Sequence, residues 1–201
     1  MGEIKYMLKP DWITWDDVQE CQRRAHEKNN KKGFQMQVQT ITGDDLKNGV
    51  GDGHCFVALD GDKVVGTASL IFLKSKIHWW TRSTVAFTCF DGVLPEYWGT
   101  DVFLGLDAIR NKYIEDSGVR IRQCNTSEKN KAVIQLCKKG GYKLVQYSAT
   151  GRGASYYSVI MCKWDDGCPY SDSFCSFMFK ASKIVIKAIW KPGYKFRFWF
   201  N

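Results

Sequence analysis

A mixed α/β fold, a sheet with helices on its faces, is predicted by three observations. Apolar strand-like runs alternate with amphipathic helical stretches in the order strand, two helices, three strands, helix, strand, helix, two strands. Asp60-Gly61-Asp62, set between two apolar runs, is a hairpin signal, because Asp-Gly pairs accept the positive φ values of tight hairpin turns. A strand through Phe87, Phe90 and Val93 breaks at Pro95, whose ring fixes φ and removes an N–H, and a helix follows almost at once.

The elements follow in order. Residues 2–8 read as a first strand. Thr14 is placed to cap a helix with Asp16 and Asp17 in its first turn, Trp15, Val18, Cys21 and Ala25 on its buried face, and Arg23, Arg24 and Lys28 towards its end, which suits the helix dipole at both ends. Thr42 with Asp44 and Asp45 starts a short second helix, and Gly49, Gly51 and Gly53 mark the connection beyond it. Residues 54–59, 63–73 and 83–93 are the next strands. Gly99, Thr100 and Asp101 favour a turn and a helix N-terminus, after which Val102, Leu106, Ile109 and Tyr113 recur on one helical face. Residues 119–125 alternate as a strand. Thr126 or Ser127 then caps a helix offering Ala132, Val133, Leu136 and Cys137 for packing, closed by Gly140-Gly141, and residues 142–149 and 154–164 are two more strands.

With 201 residues, 44% of them hydrophobic and 25% charged, the chain can bury a substantial core, and disorder is not expected. The opening MGEIKYMLKPDW has no apolar leader, and the apolar stretches near the C-terminus are cut by Lys183 and Lys187, short of the roughly 20 apolar residues a spanning helix needs. A cytoplasmic protein is the expectation. Of the eight cysteines, Cys55, Cys89, Cys124 and Cys162 fall in strand-like runs, where a small thiol packs well, and are read as reduced. No CxxC pair occurs, and Cys168 and Cys175 have no His nearby, so no metal site is expected. The net charge of +8 is scattered among 21 acidic residues without a nucleic-acid motif, so nucleic acid is not the expected partner; anionic lipid, an acidic carrier protein or a phosphorylated ligand fits the same excess.

A strand, a sharp turn and a helix point free backbone N–H groups at an anion. Here the segment is VLPEYWGTDVFLGL, residues 93–106. Val93, Pro95 and Tyr97 in it, Asn130, Ala132, Gly141 and Tyr142 further on, and the hairpin phrase VALDGDKVVGTA at 57–68 together resemble the GNAT superfamily of N-acyltransferases over roughly residues 4–164. The resemblance implies a mostly antiparallel mixed sheet flanked by helices, with the first motif holding the pyrophosphate of acetyl-CoA or another acyl-CoA and the second lining the thioester. By it, Val93, Trp98, Gly99, Thr100, Asp101, Val102, Phe103, Asn125 and Asn130 are the donor-binding positions. The implied reaction is transfer of an acyl group to the amine of a small molecule or peptide.

The departures are specific. Trp98 stands where the family has Arg or Gln, and Asp101 and Phe103 where it has two small residues. A carboxylate and a phenyl ring oppose an incoming pyrophosphate, and Asp101 is expected to cap the helix instead, occupying the anion site from within. Cys137 falls where the family has a tyrosine that protonates the departing thiolate; a thiol, with an ordinary pKa of about 8.5 against about 10 for tyrosine, can donate that proton. The resemblance implies a carboxylate or a water chain beside the fourth strand as general base, which makes Asp91, the carboxylate on that strand, the candidate. His54 and His78 are further candidates for proton transfer, a lone His being also ordinary structure, and Trp79, Trp80 and Arg82 are candidates for an acceptor pocket, an aromatic pair being also ordinary core. The altered positions leave a second reading open, a GNAT-fold binding or assembly module without catalysis; they also admit an acyl carrier protein as donor.

Residues 1–163 are expected to form the acyltransferase domain and 164–201 an extension. In the extension Phe177, Met178, Ala181, Ile184, Val185 and Ala188 keep helical spacing while Lys180, Lys183, Lys187 and Lys191 form a stripe, and KPGYKFRFWFN follows. Packing on the body, on a second subunit as a homodimer, or on a membrane surface through residues 174–200 are the three readings left open.

Overall fold

A computed structural model describes residues 2–32, 37–78, 81–150 and 156–189. The described residues form seven strands and five α-helices in the order expected: β1 (Ile4–Leu8), α1 (Trp15–Lys31), α2 (Gly43–Val50), β2 (His54–Asp60), β3 (Lys63–His78), β4 (Thr81–Val93), α3 (Val102–Ser117), β5 (Ile121–Ser127), α4 (Lys131–Lys139), β6 (Lys143–Thr150), β7 (Tyr156–Trp164) and α5 (Asp172–Ile189). This is the mixed, mostly antiparallel α/β class. Two compact units divide the chain, residues 1–74 with 84–122, and residues 75–83 with 123–201.

In the first unit the strands lie in the order β1-β2-β3-β4. β1 and β2 are antiparallel with Ile4 opposite Asp60 and Leu8 opposite Phe56, and β2 turns into β3 at Gly61, whose φ of +61° is the conformation the Asp-Gly-Asp turn foretells. Both expected helix caps form as complete capping boxes. Thr14 Oγ1 accepts from Asp17 N at 3.1 Å while Thr14 N donates to Asp17 at 2.8 Å, and Thr42 with Asp45 repeats the pattern at 3.1 and 3.0 Å. Phe56, Leu59, Leu70, Leu46, Leu94 and Leu106 are fully buried in one core with Val18 and Cys21 of α1. Each such side chain contributes roughly 1.5–3 kcal/mol of transfer free energy.

Two glycines let α3 approach the sheet. A Cβ on Gly66 of β3 would stand 2.9 Å from Val102 and 3.0 Å from Leu106, and one on Gly105 of α3 would stand 2.3 Å from the ring of Tyr6 in β1. The buried residues of α3 are Val102, Leu106, Arg110 and Ile114, with Ile109 packed at the edge of the same core and Tyr113 outside it. Strict four-residue spacing turns the stripe onto Arg110, and Tyr113 instead rests its ring on His54 and Phe56 at centroid distances of 5.1 and 5.0 Å.

In the second unit the strand order is β5-β7-β6, with β6 and β7 antiparallel from Lys143 opposite Cys162 to Thr150 opposite Tyr156. Ile134, Tyr147, Val159 and Met161 form its core, joined by Cys124, Cys137, Phe179 and Ile186. Helix α4 corrects two expectations. Its cap is Asn130, not Thr126 or Ser127, and its packed side chains are Ile134 and Cys137, while Val133 and Leu136 are 37% and 59% exposed. Apolar residues lie all round this short helix, so periodicity alone misplaced the buried face. Helix α5 packs on β6, where Tyr147 N donates to Ser182 Oγ at 2.9 Å. Among the described residues no helix is long and apolar enough to cross a membrane. All eight cysteines are free thiols; burial raises Cys55 to about 11 and Cys162 to about 12.

Candidate active site

The end of β4 leaves regular strand geometry. Phe90, at φ +50°, is the one non-glycine residue among those described with a positive φ. The carbonyls around this kink are taken up by side chains of α1. Gln22 Nε2 donates to the Phe90 carbonyl and to Thr67 Oγ1, and His26 Nε2 donates to the Asp91 carbonyl at 2.8 Å while its Nδ1 accepts from Asn29 at 3.3 Å. These partners make His26 the neutral Nε2–H tautomer, and burial first of all lowers its pKa, with the Asp91 contact acting in the opposite direction. Gly92 lies against the Ala25 methyl and the Gln22 amide, with 3.1–3.2 Å left for a Cβ.

The turn beyond is built from local bonds. Leu94 N donates to Val65 O at 2.9 Å, and the Trp98 indole N–H reaches back to Val93 O at 2.8 Å. A 3₁₀ turn at Pro95–Tyr97 leads to Gly99 at φ +80°, and Thr100 Oγ1 donates to Tyr97 O at 2.6 Å. Asp101 then takes the N-cap position of α3, with its carbonyl accepting from Gly105 N at 2.8 Å and Tyr6 OH at 3.4 Å. Its carboxylate makes no capping hydrogen bond, which corrects the expectation of an internal cap. At φ −79° and ψ 5°, Asp101 lacks the extended backbone that Thr14 and Thr42 use to fold a side chain over the first-turn amides. Phe103 and Leu104 are 36% and 64% exposed, and Val102 is buried.

Charges of both signs flank this turn. Lys28 Nζ sits 5.1 Å from the centre of the Trp98 ring, and Glu96 bonds Arg24 at 2.9 Å and Lys63 at 3.2 Å. A backbone hydrogen bond, with help from Lys63 and Arg24, holds the Glu96 carboxyl below the usual range. Tyr97 OH donates to Asp60 at 2.8 Å, which raises the phenol.

Behind the turn lies a charge cluster that sequence patterning missed. Arg110, with 4% of its side chain exposed, donates to Asp91 at 2.5 Å and to Asp107 at 2.7 Å. Burial pushes the Asp91 carboxyl above its ordinary value against the pull of Arg110, and Arg110 is itself held protonated by Asp91 and Asp107 against the same burial. Asp91, the expected base, is therefore tied to α3, though 30% of its side chain is accessible. The signal that could have found Arg110 is its place four residues after Leu106 and four before Ile114.

In the second unit Asn125 is exposed on β5. Asn130 is buried and committed at both ends of its amide, Oδ1 accepting from Val133 N at 3.4 Å and Nδ2 donating to Thr126 at 3.2 Å. Cys137 Sγ lies 3.9 Å from Cys124 Sγ. Thus Asp91, Val93, Trp98, Gly99, Thr100, Asp101, Val102 and Phe103 gather in one unit, and Asn125, Asn130 and Cys137 belong to the other. Trp79 and Trp80 and the side chain of His78 lie outside the described residues, and Arg82 is exposed.

The architecture and this strand–turn–helix define the fold of the GNAT-family acetyltransferases. Among solved structures, a probable acetyltransferase from Staphylococcus epidermidis superposes with a TM-score of 0.62 at 14% identity, over 81% of this chain and 99% of that one. The ribosomal-protein-S18-alanine N-acetyltransferase of Escherichia coli gives 0.60 at 13%, over 84% and 98%. An acetyltransferase from Streptococcus agalactiae gives 0.58 at 18%, over 82% and 99%. No family profile and no curated protein matches the chain.

Proposed function

We propose that this protein is an N-acyltransferase that moves an acyl group from acetyl-CoA or a related acyl-CoA to the amine of a small molecule or peptide. The observation that carries the reading is the N-terminus of α3, which follows a kinked strand end and a turn where Lys28 rests on Trp98 and Arg24 and Lys63 pair with Glu96, and whose N-cap side chain makes no capping bond. Backbone N–H groups and the positive end of the helix dipole are suited to the phosphates of a coenzyme thioester. Gly99 and Thr100 shape the turn, Val102 anchors it in the core, and Trp98 props the strand end through Val93 O.

In the reaction the amine nitrogen attacks the thioester carbonyl carbon, the carbon–sulfur bond breaks, and the nitrogen gives up a proton while the thiolate gains one. Asp91 and Cys137 are the groups proposed for these proton moves. Asp91 takes the amine's proton through water, which its partial exposure and raised proton affinity support, and the Cys137 thiol gives a proton to the departing coenzyme thiolate and regains one from solvent. Asn125 and Asn130 are proposed to line the thioester side, Asn130 as the cap that fixes the start of α4 there.

Titration calorimetry with acetyl-CoA, longer acyl-CoAs and an acylated carrier protein tests the reading, with binding of a thioester and acylation of an amine expected. No binding of any of the three would refute it. The exposed Asp101 carboxylate favours the second reading, a GNAT-fold binding module; that reading gains if Asp101→Gly with Phe103→Gly creates coenzyme binding absent from the parent.

A further inference from the structure

Among the described residues helix α5 packs by one face. Cys175, Met178 and Ser182 are buried, Phe179 and Ile186 join the core of the second unit, and Lys143 bonds Asp172 at 2.5 Å at the helix start. The opposite face carries an apolar ridge of Phe177, 65% exposed, Ile184, 71% exposed, and Ala188. Beside it, at spacings of three and four residues, run Lys180, Lys183 and Lys187. Lys183 and Lys187 are steadied over the Tyr147 ring at 5.2 and 5.8 Å and share Glu128 at 3.4 and 3.9 Å, so the row has a fixed position and a net positive charge.

The sequence continues the same chemistry. From residue 173 to the end there are six Lys or Arg side chains and no acidic one, and after Ile189 come Trp190, Tyr194, Phe196, Phe198, Trp199 and Phe200 interleaved with Lys191, Lys195 and Arg197. Tryptophan and tyrosine favour the headgroup layer of a bilayer, and a helix with an apolar ridge flanked by lysines lies in that layer with its ridge among the acyl chains. A second copy is the poorer occupant. Antiparallel pairing of this face with itself would bring lysine row against lysine row in a low-dielectric interface.

We infer that the outer face of α5 binds the surface of anionic phospholipid bilayers. The inference is independent of the thioester reading. The test is sedimentation of the full-length chain with vesicles of phosphatidylcholine alone and of phosphatidylcholine with one-third phosphatidylglycerol. The expected result is binding to the anionic vesicles only, weakening as salt is raised. Lys180→Gln with Lys187→Gln is expected to lower the partition coefficient about 30-fold, and Ile184→Ser, at a position too exposed to affect folding, about tenfold. Unchanged far-UV circular dichroism verifies the fold of each variant. Absence of binding, equal binding to neutral vesicles, or binding untouched by both variants overturns the inference. So does a change in oligomeric state by light scattering in these variants without vesicle binding, which would assign the face to a second copy.

Discussion

Helices α3 and α4 both follow a strand, and their N-termini are built differently. At α4 the Asn130 side chain accepts from the Val133 amide and is itself held by Thr126, so the amides there are answered from within. At α3 Asp101 stands in the same structural position but its carboxylate bonds no amide, and Thr100 Oγ1 reaches Val102 N only at 3.5 Å. Helices α1 and α2 have full capping boxes, and Ser171 Oγ accepts from Phe174 N at the start of α5. Among the described helices, α3 is thus the one whose end is left for something else to complete. A position that normally supplies stability is here unspent, and the turn before it carries Lys28 against Trp98 and the Arg24–Glu96–Lys63 group.

The largest effect should come from the charge cluster that carries this turn. Arg110→Met strands Asp91 and Asp107 beside buried surface and should cost about 3–5 kcal/mol in urea unfolding, whereas Lys138→Met, exposed on α4, should cost almost nothing. Gly105→Ala should cost about 1–3 kcal/mol by driving a methyl into Tyr6. Restoration by Tyr6→Leu in the same chain would show that the ring is the obstacle. The caps themselves give the sharpest contrast: Asn130→Ala should cost about 1 kcal/mol and Asp101→Ala close to none. Equal losses at the two sites would mean that the α3 carboxylate does cap in solution.

A smaller effect is expected from His26. Its pKa lies below its unfolded value of about 6.5, so the unfolded chain binds the proton more readily. Its contribution is complete above that value and is lost as pH falls beneath it. His26→Gln should therefore flatten the fall of stability as pH drops below about 6.5, and a slope unchanged by the substitution would remove His26 from the account.

Much of the fold was legible because its signals are local. Thr14 with Asp17 and Thr42 with Asp45 sit three residues apart, Asp60-Gly61-Asp62 dictates its own turn, and Pro95 ends its own strand. The turn at 93–103 was legible for the same reason, with the state of Asp101 as the exception, since whether a carboxylate folds back depends on a backbone angle that residue type does not set. The partners of the β4 kink were not legible. Gln22 and His26 reach Phe90 and Asp91 across more than sixty residues of sequence, and Arg110 interrupts an apolar stripe with a charge that only the folded pair of carboxylates explains. The α4 face was misjudged because Val133 and Leu136 are as apolar as the residues that are buried.

The direct measurement is calorimetric titration of acetyl-CoA into the parent chain and into Asp101→Asn. If the uncapped end of α3 receives the phosphates, both bind, and removal of the carboxylate tightens binding by about two- to fivefold, with the gain fading as salt rises. Equal affinity in the two proteins, or none in either, would contradict the assignment of that helix end as the donor site.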